Sequence, residues 1–171
     1  MGEEAYIVRQ IGEFSFIADL DFAKEHSVKY EILRKNVQEC NRYISKILEI
    51  PLASKIFYLE RVRYVEEQPR AIEKIYIDYK KVPGIEEMDF NHEPLFLILK
   101  REFGLEILQT DEEILIVNAN EKEKQLLNLP DDAEVLMLKE TILIQNHEPL
   151  QYTEIISDPD FYRFKSEMNL R

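Results

Sequence analysis

Only one cysteine, Cys40, occurs in the 171 residues, which excludes any internal disulfide, and the three histidines, His26, His92 and His147, lie too far apart to make a metal-ligand spacing with it. With four glycines in all there is no Gly-rich phosphate loop, and neither GxSxG nor HExxH is present. No catalytic machinery, metal or cofactor is therefore expected. Basic runs are missing too: no stretch of five or more Lys or Arg, no zinc-finger spacing and no helix-turn-helix pattern. Affinity for a phosphate backbone comes from Lys and Arg releasing counterions, and a formal net charge of -12 works against it. This chain alone is not expected to bind DNA. No apolar run approaches the roughly 20 residues that span a bilayer. The opening Met1-Gly2-Glu3-Glu4-Ala5 lacks the basic and apolar regions of a secretory signal, so a cytoplasmic location is expected.

What is present is a soluble globular balance, 45% hydrophobic and 33% charged, in a chain long enough to bury a real core. An internal duplication is the most informative feature. Laid on Lys122 to Ile156, the stretch Tyr43 to Ile77 repeats it: Pro51 and Pro130 are 79 apart, as are Leu59 and Leu138, and Pro69 precedes Pro149 by 80. Each copy reads as a short helix, a strand (Ile56 to Tyr64; Val135 to Ile142), a turn and a returning strand. Another strand candidate precedes each copy, Val28 to Val37 and Leu105 to Asn118. A helix from Pro94 to Glu102 is closed by Gly104. Tight turns force antiparallel pairing. The expected fold is α+β, an antiparallel sheet with helices on one face and two pseudo-repeated halves, occupying residues 14–171 after a linker remnant at 1–13.

Residues two apart share a strand face. That places Phe57, Leu59, Arg61 and Arg63 together, and makes Glu73 the only charge in the row Ala71, Glu73, Ile75, Ile77, Tyr79. In the second copy Glu154 is likewise alone among Leu150, Tyr152 and Ile156. A carboxylate in an apolar row implies a pairing or a ligand, with the two arginines as candidate partners. The same pattern also fits ordinary charges on a partly wet sheet.

The run Leu59-Glu60-Arg61-Val62-Arg63-Tyr64, then Gln68-Pro69-Arg70-Ala71-Ile72-Glu73-Lys74 and Val82-Pro83-Gly84-Ile85, resembles the UTRA domain, the ligand-sensing domain of HutC-type GntR regulators. Pro94-Leu95-Phe96, Phe103-Gly104-Leu105, Leu127-Asn128-Leu129-Pro130, Glu148 to Glu154 and Tyr162-Arg163-Phe164 follow in the family's order. The resemblance covers about Phe14 to Phe164. It implies a chorismate-lyase-like fold and a homodimer that binds a small effector: a sugar phosphate, organic acid or amino-acid derivative. It also implies an N-terminal winged helix-turn-helix, absent from this chain, whose operator affinity the effector controls.

By the same resemblance Arg61 and Arg63 clamp an anionic group, Glu73 accepts hydrogen bonds from the ligand, and Phe14-Ser15 cap an anion. Phe16, Phe96, Tyr152, Glu154 and Tyr162 complete the implied effector site. One departure matters. Where the family often has Ser-Leu-Tyr, this chain has Pro94-Leu95-Phe96, so two hydroxyls that assist phosphate binding are gone, which makes a phosphorylated ligand less secure. Two alternatives share the fold: a chorismate-lyase-like enzyme, and a dimerisation module with no ligand.

Overall fold

A computed structural model describes residues 5–171. Six strands form one antiparallel sheet in the order β2-β3-β4-β7-β6-β5. They are β2 (Val28–Glu39), β3 (Lys55–Val65), β4 (Gln68–Asp78), β5 (Ile107–Asn118), β6 (Glu134–Ile144) and β7 (Glu148–Ser157). Helix α2 (Arg42–Leu48) joins β2 to β3, and α4 (Glu121–Leu127) joins β5 to β6. The duplication is thus the architecture: strand, helix, strand, strand, twice, with the sheet order reversing at its centre. There β4 pairs β7, and Lys74 faces Glu154, its counterpart 80 positions on. Each hairpin also carries a register shift at the matching place, beside Arg63/Tyr64 and beside Ile142/Leu143.

Local chemistry repeats with the topology. Asn41 and Asn120, 79 apart, cap α2 and α4 by accepting a backbone N–H three residues on, and Glu49 and Asn128 close them in left-handed conformation, both at φ 54. Asn120 adds a reciprocal bond, its backbone N–H donating to the Glu123 carboxylate, which makes a capping box. We expect Asn120→Ala to lower stability by about 1 kcal/mol, measured as a shift in urea midpoint at unchanged slope.

Helices cover both faces of the sheet, not the single face expected. On one, Leu127 of α4 packs with Val62, Ile72 and Ile156, and Ile44 and Leu48 of α2 pack with Ile56 and Tyr152. On the other, α3 (Leu95–Phe103) sets Leu95, Ile98 and Leu99 against Phe57, Leu59, Ile75 and Ile77. The reason lies in β3 and β4, whose residues are buried on both sides, so each face requires cover. The expected boundaries of α3 hold to within a residue: Pro94 caps it, and Gly104, at φ 64, returns its N–H to Lys100.

Three elements near the ends of the chain were not foreseen. Helix α1 (Ser15–Glu25) buries only Phe22 and has no side-chain cap, so its pattern is faint. Strand β1 (Ile7–Gln10) lies within the stretch expected as a linker, yet it pairs parallel with β8 (Tyr162–Lys165). Ile7 is held there by packing with Phe22, Phe161 and Tyr162. Residues 1–4 of that stretch lie outside the described residues.

Candidate functional site

The first turns of α1 and α3 meet over the middle of the sheet, on the face that carries Arg61, Arg63 and Glu73. Register explains the convergence: Arg61 of β3 lies opposite Glu73 of β4, and Glu73 opposite Ile155 of β7. Between helices and sheet is a cavity of about 80 Å³, lined by Ser15, Asp19, Arg61, Glu73, Glu140 and Gln151 among others. It adjoins a larger space of about 240 Å³ bounded by Leu105, Leu150, Lys100 and Glu106; Phe16, Phe96, Leu99 and Ile107 line both. Phe16 stacks on Phe96 with ring centroids 4.4 Å apart, and on Phe14 at 5.3 Å.

The cavity floor is an ion network. Arg61 donates through Nε to Glu73 Oε2 at 2.6 Å and through Nη1 to the Phe90 carbonyl at 2.8 Å. Its guanidinium lies 3.8 Å from the Tyr30 ring centre. Arg63 donates to the other Glu73 oxygen and, at 3.4 Å, to Asp19. Glu73, Arg61 and Arg63 are only 5%, 2% and 3% exposed, which decides between a wet sheet and a buried pairing in favour of the pairing. Burial alone would raise the Glu73 carboxyl, but the two guanidiniums outweigh it and hold it down to about 2.

A second group of charges stands beside the first. Ser15 Oγ donates to Glu140 Oε2 at 3.2 Å, and Arg9 of β1 donates to Glu112 at 2.6 Å with its other nitrogen 3.8 Å from Glu140 Oε1. No donor hydrogen-bonds Glu140 Oε1, nor the buried Gln151 Oε1 on the same cavity wall. Burial, reinforced by Glu112, pushes Glu140 up to about 8; burial also raises Asp19.

Of the residues marked by sequence, Ser15, Phe16, Arg61, Glu73 and Phe96 line this cavity, and Arg63 lies behind Tyr30, touching Glu73. Phe14 stands at its edge, on an adjoining depression with Arg9 and Glu112. Tyr162 is buried beneath, its hydroxyl without a hydrogen-bond partner. Tyr152 and Glu154 are not with them. They occupy the opposite face, where Tyr152 packs under α2 and donates to Glu154 at 3.0 Å, and Glu154 lies between Lys74 and Lys139. The β7 row that does face the cavity is Gln151, Thr153 and Ile155.

Arg9, Asp19, Tyr30, Glu112, Glu140 and Gln151 were missed. For Glu140 a signal existed: the same alternation makes it a lone charge in the row Leu136, Leu138, Glu140, Ile142, and the 79-residue offset makes it the counterpart of Arg61. Arg9 and Glu112 carry no comparable mark, since only the β1–β8 pairing brings the terminus here.

The model of the UTRA domain matches residues 23–163. The chain belongs to the UTRA domain family. Among curated relatives, the HTH-type transcriptional regulator GmuR of Bacillus subtilis is 23% identical over 130 residues, 76% of this chain and 54% of GmuR, so this UTRA chain spans about half the length of that relative. In fold it resembles the effector domain of PhnF from Mycobacterium smegmatis, with TM-score 0.85 and 16% identity over 96% of this chain and all of that one. It likewise resembles the ligand-binding domain of a putative GntR-family regulator from Bordetella bronchiseptica, with TM-score 0.77 and 18% identity over 83% and 92%. The α+β, chorismate-lyase-like class stands. GmuR and the Bordetella protein are described as transcriptional regulators, and with the match to the UTRA domain this sets the lyase reading aside. Among the described residues no group of acids, His and Cys is fit to hold a metal, and no helix is long and apolar enough to cross a membrane.

Proposed function

We propose that this UTRA domain is the effector sensor of a cytoplasmic, homodimeric GntR-type regulator, and that its metabolite enters the cavity between α1, α3 and the sheet. The observation that carries this reading is that α1 and α3 roof a cavity whose walls hold acceptors with no donor. A bound ligand joins the two helices to the sheet, and the arrangement it selects is passed to a DNA-binding domain elsewhere in the protein. Exposed Leu108, Ile114 and Ile116 on the open edge strand β5 favour a second copy as partner.

Arg61 and Arg63 both donate to Glu73, so an anion at them would compete with that carboxylate. Among sugar phosphates, organic acids and amino-acid derivatives, the last best fits the acid-lined wall.

The test couples two measurements. A compound from a panel of those three classes, held at 100 times its dissociation constant, should stabilise the domain by about 2.7 kcal/mol. The same compound should change the full-length regulator's operator affinity by roughly 5–150-fold. A stabilising ligand that leaves operator affinity unmoved overturns the regulatory reading.

A further inference from the structure

The arginines that sequence points to as an anion clamp are tied to Glu73, with Arg63 Nε left unmet outside the cavity lining, and what the wall itself offers is mainly acceptors. Arg61 is held by Glu73 and the Phe90 carbonyl, and Arg63 by Glu73 and Asp19. The wall itself carries three carboxyl groups, Asp19, Glu73 and Glu140, against one guanidinium, Arg61. Two buried oxygens on it, Glu140 Oε1 and Gln151 Oε1, receive no hydrogen bond. Gln151 directs its amide nitrogen to Thr153 at 2.8 Å, which leaves its oxygen as the group to be met. Such atoms cost free energy until a donor reaches them. Around Glu140 stand Ser15 and Asp19 of α1, Arg9 of β1, Thr153 of β7 and Glu112 of β5, which shares a hydrogen bond with its carboxyl, and the nearest cation, Arg9, makes its short bond to Glu112.

The other end of the space is lined mostly by apolar side chains. Phe16 and Phe96 stack over its inner part, and Leu99, Leu105, Ile107 and Leu150 line the remainder together with one ion of each sign, Lys100 and Glu106. Pro94 and Phe96 present no hydroxyl at the start of α3, so that end supplies no hydroxyl to a phosphate.

We propose that the effector is an amine-bearing compound with an apolar or aromatic flank, its ammonium placed at Glu140 and Gln151 and its flank against the Phe16–Phe96 pair. This rests on the sensor reading above for the identity of the cavity, and deepens it by naming the ligand chemistry. An ammonium supplies three donors to unmet acceptors and adds a positive charge where acids outnumber bases. A carboxylate or phosphate in the same position would bring further acceptors to Glu140 and Gln151, whose unmet oxygens need donors.

The test is a set of four fragments that share a ring and differ in the polar head: benzylamine, benzyl alcohol, benzoate and phenyl phosphate. Each is titrated into this chain and followed by amide and methyl chemical shifts. Benzylamine is expected to bind at least tenfold more tightly than benzoate or phenyl phosphate, with shifts centred on Phe16, Leu99, Ile107 and Thr153. In Glu140→Gln, nearly identical in shape, the advantage over benzyl alcohol disappears, and in Phe96→Ala all four fragments weaken together.

Benzoate or phenyl phosphate binding as tightly as benzylamine would overturn the assignment. So would shifts confined to another part of the domain, an unchanged amine preference in a folded Glu140→Gln, or no saturable binding by any fragment. An amine-selective cavity in a regulator whose operator affinity ignores its ligand would support the ligand chemistry and defeat only the sensor reading.

Discussion

Glu73→Ala is expected to lower the stability of the domain by about 3–5 kcal/mol, the range for removing one partner of a buried ion pair. The loss comes less from the missing attraction than from what stays behind. Arg61 and Arg63 are both buried and both donate to this one carboxylate; without it Arg61 keeps the Phe90 carbonyl, and Arg63 keeps a 3.4 Å contact to Asp19. Stabilities of whole domains are only about 5–15 kcal/mol, so the variant should unfold at a much lower urea concentration. Glu154→Ala is the contrast. That residue sits partly exposed between two lysines on the other face, and its loss should cost under about 1 kcal/mol. Equal midpoints for the two variants would refute the buried network. Arg61→Ala and Arg63→Ala belong with Glu73→Ala, because each leaves Glu73 with one guanidinium in place of two. Weakened ligand binding in either variant therefore speaks to a clamp only where folding is shown to be intact.

The duplication was legible because it is written in residues that do local work. Pro51 and Pro130 follow the helices, Asn41 and Asn120 cap them, and the apolar run Ile56 to Leu59 of β3 matches Val135 to Leu138 of β6 position for position, so half the topology implied the other half. Placement of the helices was not legible, since a strand buried on both sides, such as β3, shows no contrast between faces. For the candidate site, alternation marked Glu73, Arg61 and Arg63, which the structure brings together, and Glu154, which it places on the other face. Both carboxylates sit in apolar rows, but the register that places Lys74 and Lys139 beside Glu154 is a tertiary fact. Arg9 belongs to the site through a parallel pairing of the two ends of the chain, which no local pattern announces.

The domain should also lose stability as pH rises through the neutral range, and Glu140→Gln should abolish most of that loss. Glu140 has an ordinary value of 4.5 and stands at about 8 in the fold, chiefly because it is buried and secondarily because Glu112 is its neighbour. Between those values the native state holds a proton that the unfolded chain has released, so stability is fully present below 4.5 and falls with rising pH by about 1.4 kcal/mol per unit until the folded value is passed. Glu73 works in the opposite sense and elsewhere: held down to about 2, its contribution is complete above 4.5 and is lost only as pH falls towards 2. The two limbs leave a maximum near pH 4.5 to 5.5. Urea unfolding at pH 5.5 and pH 8 should differ by on the order of 3 kcal/mol in the native protein. Glutamine keeps the shape and the acceptor but has no proton to lose, so Glu140→Gln should lose much less stability across that interval, the remainder coming from the buried Asp19, and be more stable than the parent at pH 8. A flat profile in both proteins would mean that Arg9 keeps Glu140 ionised, and the acidic wall would then carry its full charge at neutral pH.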